Sequence, residues 1–292
     1  MKVLLTGASG QVGSCFQDLV KEKFPQLTLL ATDRSQLDIT NAIAVDHIVG
    51  QFQPDVIFNA AAYTAVDRAE SDPEGAWSVN VQAVENLVLA AQRHHAFFVH
   101  ISTDYVFNGE ADKPWVESHP CDPQSIYGST KLAGEKAALA YDQAVVLRTS
   151  WVFSEYGNNF LKTMLRLGKE RPGLSIIDDQ RGCPTYAGDI AGAVMDIIFA
   201  ALRPTGVYHY SGAGDVSWFD FAKAILQKAC SSGLLEKMPE LTPIPTTEFP
   251  TPAKRPKYSV MSTNKIEAIG IKPVSWLPRV DLVLQKLKTS LP

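Results

Sequence analysis

The chain has 292 residues, four cysteines and a formal net charge of −4, with hydrophobic residues at 46% and charged residues at 20%. That composition suits a globular protein with a sizeable core and excludes a disordered chain, a disulfide scaffold and a basic nucleic-acid footprint. Cys15, Cys121, Cys183 and Cys230 are too dispersed for a zinc site, no apolar run is long enough to span a bilayer, and Met1 to Gly7 is no secretory signal, so a cytoplasmic protein with reduced thiols is expected.

Lys2 to Thr6 reads as a short buried strand. Gly7-Ala8-Ser9-Gly10-Gln11-Val12-Gly13 follows, then a helical run through about Phe24. A strand, a glycine-rich turn and a helix are the parts of a dinucleotide site. The glycines permit a tight turn, backbone N–H groups approach a pyrophosphate, and the helix N-terminus adds a favourable dipole. The spacing is G-x-x-G-x-x-G, which by itself also suits a turn that holds no ligand. Leu27 to Thr32 reads as a second strand ending at Asp33, 20 residues after Gly13. An acid there accepts hydrogen bonds from an adenosine ribose, whereas the guanidinium of Arg34 beside it suits a 2′-phosphate. NADH and NADPH both stay open. Leu37-Asp38-Ile39 either lines an adenine or opens the next helix, which Thr40 is expected to cap.

Asp55 to Asn59 reads as a third strand, followed by Ala60-Ala61-Ala62-Tyr63-Thr64. Small residues at a strand's C-terminal end admit a flat ligand or pack the strand against a helix. A long helix is expected from about Pro73 to His95, with Asn80 in an internal hydrogen bond. A fourth strand, Phe97 to Ser102, leads into Thr103-Asp104-Tyr105-Val106-Phe107.

Ile126-Tyr127-Gly128-Ser129-Thr130-Lys131 then sets a phenol and an amine four residues apart at the start of a helix, on one face. A fixed ammonium favours phenolate, so Lys131 is expected to lower the pKa of Tyr127. Tyr127 becomes a candidate general acid for an alkoxide forming at a carbonyl carbon. Taken alone, the pair reads first as a solvated surface couple. Its place in the chain gives it weight: the motifs fall at the C-terminal ends of successive strands. The βαβαβαβ pattern predicts an α/β fold, a Rossmann-like doubly wound parallel sheet with helices on both faces and a site along one edge.

Thr6-Gly7-x-x-Gly10-x-x-Gly13, Asn59-Ala60-Ala61-Ala62, Ser102-Thr103-Asp104 and Tyr127-x-x-x-Lys131 together resemble the extended short-chain dehydrogenase/reductase superfamily. Ala61 to Glu70, Ser102 to Phe107, Arg148-Thr149-Ser150-Trp151-Val152 and Asp179-Gln180-x-Gly182-x-Pro184-Thr185 are similar to its dTDP-4-dehydrorhamnose reductase family. The similarity covers most of the chain and is most specific through about Asp189. It implies an NAD(P)H-dependent oxidoreductase that reduces the C4 keto group of dTDP-4-dehydro-L-rhamnose, the last step of dTDP-L-rhamnose synthesis. A reductase of a related nucleotide 4-keto-6-deoxysugar and a non-catalytic, nucleotide-binding regulatory subunit are the alternatives.

The resemblance also implies roles. Tyr127 is the proton donor to the C4 oxygen, Lys131 holds the nicotinamide ribose, and Thr103 hydrogen-bonds near the reacting oxygen. Asp104 and Trp151 contact the sugar nucleotide. Gly10, Gln11 and Val12 meet the pyrophosphate within the turn framed by Gly7 and Gly13. Asp33, Asp38 and Ile39 meet the adenosine, with Arg34 beside them, and Ala61, Ala62, Tyr63 and Thr64 lie beside the cofactor. Some members of the family are magnesium-bridged dimers, held by one acid early in the first helix and others after the Pro-Thr motif. Cys15 stands at the first position here and Asp189 is a lone acid at the second, a poor magnesium site. A monomer or weak homodimer with no bridging metal is expected, with a small nucleotide-sugar substrate and no nucleic-acid or membrane partner.

Residues 1–150 are read as the NAD(P)-binding domain. Residues 151–292 are read mainly as a smaller, interleaved substrate-binding lobe, with segments near 174–211 returning to the first domain. Ala144 to Ser150 is a core strand, Asn158 to Lys169 a helix and Leu174 to Ile177 a short strand. A strongly apolar helix runs from Asp189 to Leu202 with Asp189 as its cap. Gly206 to Ser211 is a strand that rejoins the sheet, Ser217 caps a helix to about Ser231, and Val280 to Leu287 is the last helix. Met238 to Pro256 carries Pro239, Pro243, Pro245, Pro250, Pro252 and Pro256 and is read as extended or looping. It ends in Lys254-Arg255-Pro256-Lys257, which suits a diphosphate or a solvated turn. An Arg-Pro-x-x-Ser element in related enzymes places Arg255 on the substrate.

Overall fold

The structure is a computed structural model and describes residues 1–289. In β1 (Lys2–Thr6) the residues Val3, Leu4 and Leu5 are wholly buried. Unbroken apolar runs of this kind mark strands covered on both faces. The chain continues through α1 (Gln11–Lys23), β2 (Thr28–Thr32), α2 (Ala42–Phe52) and β3 (Val56–Asn59). Two short helices, α3 (Val66–Ala69) and α4 (Pro73–Trp77), follow, and a π-helical turn at Ser78–Gln82 joins α4 to α5 (Ala83–Arg93). The long helix expected over 73–95 therefore carries a bulge around Asn80. Next come β4 (Phe97–Thr103), α6 (Ile126–Leu139) and β5 (Ala144–Thr149).

Beyond β5 the elements shorten: β6 (Val152–Phe153), α7 (Phe160–Glu170), β7 (Gly173–Ile177), β8 (Arg181–Gly182) and β9 (Thr185–Tyr186). Then follow α8 (Ala187–Phe199), β10 (Gly206–His209), β11 (Val216–Ser217), α9 (Trp218–Ser231), β12 (Glu240–Ile244), α10 (Asn264–Glu267) and α11 (Trp276–Thr289).

Six strands form the main sheet in the order β10-β5-β4-β3-β1-β2, every pair parallel. Alternate residues of each strand face opposite sides. Val3, Leu5 and Phe58 enter the core with α1 and α8, whereas Leu4, Ile57 and Phe98 enter the core with α2 and α5. The chain steps outward from β1 to β2 and then crosses to β3 on the other side. That reversal opens a crevice at the carboxyl ends of the strands, where ligands bind in such sheets.

The rest of the chain forms three two-stranded sheets, β7 with β12, β6 with β9 and β8 with β11. Of the segments near 174–211, residues 206–209 join the main sheet beside β5, but β7 pairs in parallel with the proline-rich β12, Leu174 opposite Leu241. Pro243 is tolerated there because a two-stranded sheet leaves each strand with a free edge. Two helix starts also differ from expectation. Asn41, not Thr40, caps α2, its side chain accepting the N–H groups of Ile43 and Ala44. Asp189 lies inside the first turn of α8, where its carboxylate is held by Arg279 at 2.7 Å rather than by the helix backbone.

Candidate active site

A cleft of about 770 Å³ runs along the carboxyl ends of the central strands. At one end is the glycine turn. Gly7 has φ +73°, and a Cβ there would lie 2.6 Å from the Ala61 nitrogen, so only glycine fits. Gly10 stands at the N-cap of α1 and no side chain caps that helix. The N–H groups of its first turn therefore lack side-chain partners beside the cleft, the arrangement that takes a phosphate. Gln11 and Val12 line the cleft. The Gln11 side chain is engaged by Ser154 and Asn159, each at 2.9 Å, which ties the turn to the chain after β6. Gly13 does not line the cleft, contrary to expectation. Its missing Cβ would come within 2.2 Å of the Gly7 carbonyl oxygen, so it serves the packing of α1 on the turn.

Asp33, Arg34, Asp38 and Ile39 line the next portion. Hydrogen bonds from the Ser35 hydroxyl and N–H hold the Asp33 carboxyl below its ordinary range. Asp38 is lowered the same way by the Thr40 hydroxyl and N–H. Ala61, Ala62, Tyr63 and Thr64 follow β3 along the cleft wall. The amide of Asn80 grips the backbone of Tyr63 from both sides, at 2.9 and 3.2 Å, and also reaches Thr130. The π-helical turn is what carries Asn80 into that position, a recurrent use of such bulges. The Tyr63 phenol turns away to Asp72 at 3.0 Å.

At the far end Ser125 caps α6 through the Gly128 N–H, and the Tyr105 ring packs edge-on against Tyr127 with centroids 5.4 Å apart. Tyr127 and Lys131 both line the cleft and are 9% and 2% exposed. Burial pushes the Tyr127 phenol up to about 12, with the Thr103 side chain pulling down and Asp104 adding to the rise. Burial brings Lys131 down to about 8, against the pull of Glu135. Lys131 does not lower the pKa of Tyr127 as the spacing suggested: its Nζ donates to the Ile101 carbonyl at 2.7 Å, 3.3 Å from His100 Nε2. A low dielectric penalises the charged form of both groups.

Thr103 donates to Asp104 Oδ1 at 3.0 Å and accepts the Tyr105 N–H. Asp104 is 2% exposed, its Oδ2 lacks a well-formed hydrogen bond, and burial pushes the carboxyl up to about 6 against the pull of the nearby Ser259 and Thr103 hydroxyls. Trp151 lines the cleft with φ +47° and stacks on Trp218, ring centroids 3.4 Å apart. Only Gly182 leaves room for it, since a Cβ there would meet the indole at 2.4 Å. Arg255, expected on the substrate, does not line the cleft. Its guanidinium makes a two-pronged pair with Asp67 at 2.9 and 2.8 Å, which fastens the proline-rich segment to α3.

Sequence reasoning missed the layer beneath the cleft. His100 and Asn59 are wholly buried under Lys131, and Glu135 pairs with Arg148 and Ser102 one helical turn further on. The signal for His100 was a single imidazole inside the apolar run Phe97 to Ile101. Among the described residues no group of three or more His, Cys, Asp or Glu side chains is placed to hold a metal. Cys15 is buried, its thiol pushed up to about 12 by that burial.

The sequence matches the RmlD substrate binding domain family over residues 1–289. A dTDP-4-dehydrorhamnose reductase from Aggregatibacter actinomycetemcomitans is 44% identical over 94% of this chain and 95% of that protein. The crystal structure of a dTDP-4-dehydrorhamnose reductase from Clostridium acetobutylicum superposes with a TM-score of 0.92 at 39% identity, covering 99% of this chain and 100% of that one. One from Bacillus anthracis, solved in complex with NADP, superposes with a TM-score of 0.90 at 38% identity over 98% and 99% of the two chains.

Proposed function

The chain belongs to the RmlD family of dTDP-4-dehydrorhamnose reductases, and we propose that it reduces the C4 carbonyl of dTDP-4-dehydro-L-rhamnose to give dTDP-L-rhamnose. The observation that carries this reading furthest is one cleft with an uncapped glycine turn at one end and Thr103, Asp104, Tyr127 and Lys131 at the other.

The turn and the uncapped start of α1 fit a dinucleotide pyrophosphate. Asp33, Arg34, Asp38 and Ile39 would hold the adenosine, and the adjacent acid and guanidinium suit either NADH or NADPH. Lys131 would hold the nicotinamide ribose. A reduced nicotinamide supplies the hydride when bound. As negative charge gathers on the substrate's C4 oxygen, the Tyr127 phenol would give it a proton and the Thr103 hydroxyl, turning from Asp104 Oδ1, would donate a hydrogen bond. Both interactions strengthen as the charge develops, which is what lowers the barrier. Asp104 Oδ2, buried and without a well-formed hydrogen bond, is a ready acceptor for a sugar hydroxyl. Trp151, braced by Trp218, offers a flat apolar wall.

In this reading residues 1–150, with β10, form the cofactor domain and most of the remainder the substrate lobe. Four free cysteines among the described residues support a cytoplasmic site of action. Cys15 and an Asp189 already paired with Arg279 support a monomer or weak homodimer without a bridging metal.

The test mixes the purified protein with NADPH or NADH and dTDP-4-dehydro-L-rhamnose. Loss of nicotinamide absorbance with formation of dTDP-L-rhamnose is expected, and no oxidation of either cofactor refutes the reading. Tyr127→Phe is expected to lower turnover by about two to four orders of magnitude while the dinucleotide still binds.

A further inference from the structure

His100 sits in the middle of β4, wholly buried. Its partners determine where its proton lies. On β3, Asn59 Oδ1 accepts the Ala61 backbone N–H at 3.1 Å and the Thr6 hydroxyl at 2.7 Å. A backbone N–H can only donate, so that atom of the side chain is the oxygen. The Asn59 nitrogen is then the atom 3.0 Å from His100 Nδ1. An amide nitrogen donates and does not accept, so Nδ1 is bare. Burial holds the imidazole neutral, its pKa well below the ordinary value. A neutral ring with a bare Nδ1 carries its proton on Nε2.

His100 Nε2 faces Lys131 Nζ at 3.3 Å. Opposite an ammonium, that N–H sets two donors head to head. Opposite an amine, it meets a lone pair. The bond from Nζ to the Ile101 carbonyl serves either form. Glu135, one turn along α6, favours the ammonium, but its carboxylate is taken up by Arg148 and Ser102. Tyr127 on α6 and Asp104 and Tyr105 after β4 also titrate at this end, and burial favours the neutral form of each.

We propose that His100 is a positioning residue that favours Lys131 as an uncharged amine in the free protein, so that binding of the dinucleotide is coupled to uptake of a proton by Lys131. This rests on the reading of Lys131 as the residue that holds the nicotinamide ribose. The amine has two N–H groups, one engaged by Ile101, and its lone pair points at His100. The ammonium has three, which leaves two for ribose hydroxyls. The proton comes from solvent, the contact with His100 breaks, and no electrons move. Lys131 is brought down to about 8, so uptake is small well below pH 8 and approaches one proton above it.

The experiment is calorimetric titration of NADPH into the full-length protein, above and below pH 8, in buffers of different ionisation enthalpy. Uptake near one proton is expected on the alkaline side, with affinity falling about tenfold per pH unit there. His100→Gln sets a carbonyl acceptor against Nζ and should move that fall upward by about one pH unit or more while removing most of the uptake. His100→Asn keeps an amide near Asn59 but withdraws from Nζ, and should likewise move the fall upward. No uptake by the wild-type protein overturns the proposal, as does an unchanged pH dependence in both variants. Lys131→Met separates the two readings. If it binds NADPH as tightly as wild type, the cofactor role of Lys131 fails. If it binds weakly while the His100 variants behave as wild type, only the present inference fails.

Discussion

Replacing Glu135 by alanine is expected to cost about 3–5 kcal/mol of folding stability, the usual penalty for stripping one partner from a buried ion pair. Glu135 and Arg148 are 2% and 4% exposed. One carboxylate oxygen accepts from Arg148 Nε at 2.8 Å and from the Ser102 hydroxyl at 2.5 Å, and the other accepts from Arg148 Nη2 at 2.7 Å. Without them the guanidinium keeps Cys121 Sγ at 3.2 Å, His209 Nε2 at 3.4 Å and the face of Phe107 at 5.1 Å. None of these is an anion, and burial holds His209 neutral, its pKa lowered to about 3. Glu135→Gln retains an acceptor and loses the charge, so about 1.5–3 kcal/mol is expected for it. Glu135→Leu combined with Arg148→Met removes both ions together and should cost far less than the two single changes added. Urea denaturation followed by tryptophan fluorescence measures the wild type, the four single variants and the double variant. A loss below about 1 kcal/mol in Glu135→Ala, the scale of a surface pair, would refute the reasoning, as would additivity in the double variant.

Gly7→Ala forces a Cβ at φ +73° to within 2.6 Å of the Ala61 nitrogen. It should weaken NADPH binding and cost at least about 1 kcal/mol of stability, and calorimetry showing an unchanged affinity would contradict that. Asp104 has a folded pKa of about 6 against an ordinary 3.8, so the native state binds this proton more tightly than the unfolded chain. Its stabilising contribution is complete below pH 3.8 and is lost as pH rises through 6. Asp104→Asn does not titrate, so its stability relative to wild type should rise across that window by about 3 kcal/mol, and a flat difference in denaturation midpoints would reject the sign. Arg255→Ala removes the clamp on Asp67 and should lower stability by up to about 1 kcal/mol with little change in the KM for the sugar nucleotide. A rise of about tenfold in KM at unchanged stability would put Arg255 back on the diphosphate.

The first half of the fold was legible because parallel strands buried on both faces leave long apolar runs, and because the Gly7 turn and the Tyr127–Lys131 helix start sit at strand ends. The two-residue strands of the second half leave no period to read and exist only through their pairing, as β6 does with β9. Composition argued against a strand at Glu240–Ile244, and only its partner 67 residues earlier in sequence, Leu174 opposite Leu241, makes it one. The errors at individual residues share a cause. Asp189 left the helix cap for Arg279, 90 residues away, and Arg255 left the expected ligand for Asp67, 188 residues away. Local chemistry named the right residue types, but the partner that engaged each one lies far along the chain. His100 was visible as an anomaly in β4, yet its meaning depends on Asn59 and Lys131, which the fold brings to either side of it.

The inverted behaviour of Tyr127 bears on which group brings a proton to the reduction. A phenolate prepared in advance by a neighbouring ammonium is the base that an alcohol oxidation needs. In the free protein burial does the opposite and keeps the proton on Tyr127, with a pKa of about 12. A sugar alkoxide is a stronger base than such a phenolate, so in the proposed reaction the proton would move downhill from Tyr127 to the C4 oxygen. In the proposed reaction an ammonium at Lys131 would act late, stabilising the tyrosinate that remains after the transfer, when that charge is largest. Stabilisation that arrives with the developing charge lowers the barrier more than it tightens the ground state. The proton that reduction requires is therefore kept on Tyr127 by the depth at which β4 and α6 bury the pair, and a four-residue spacing between phenol and amine does not reveal it.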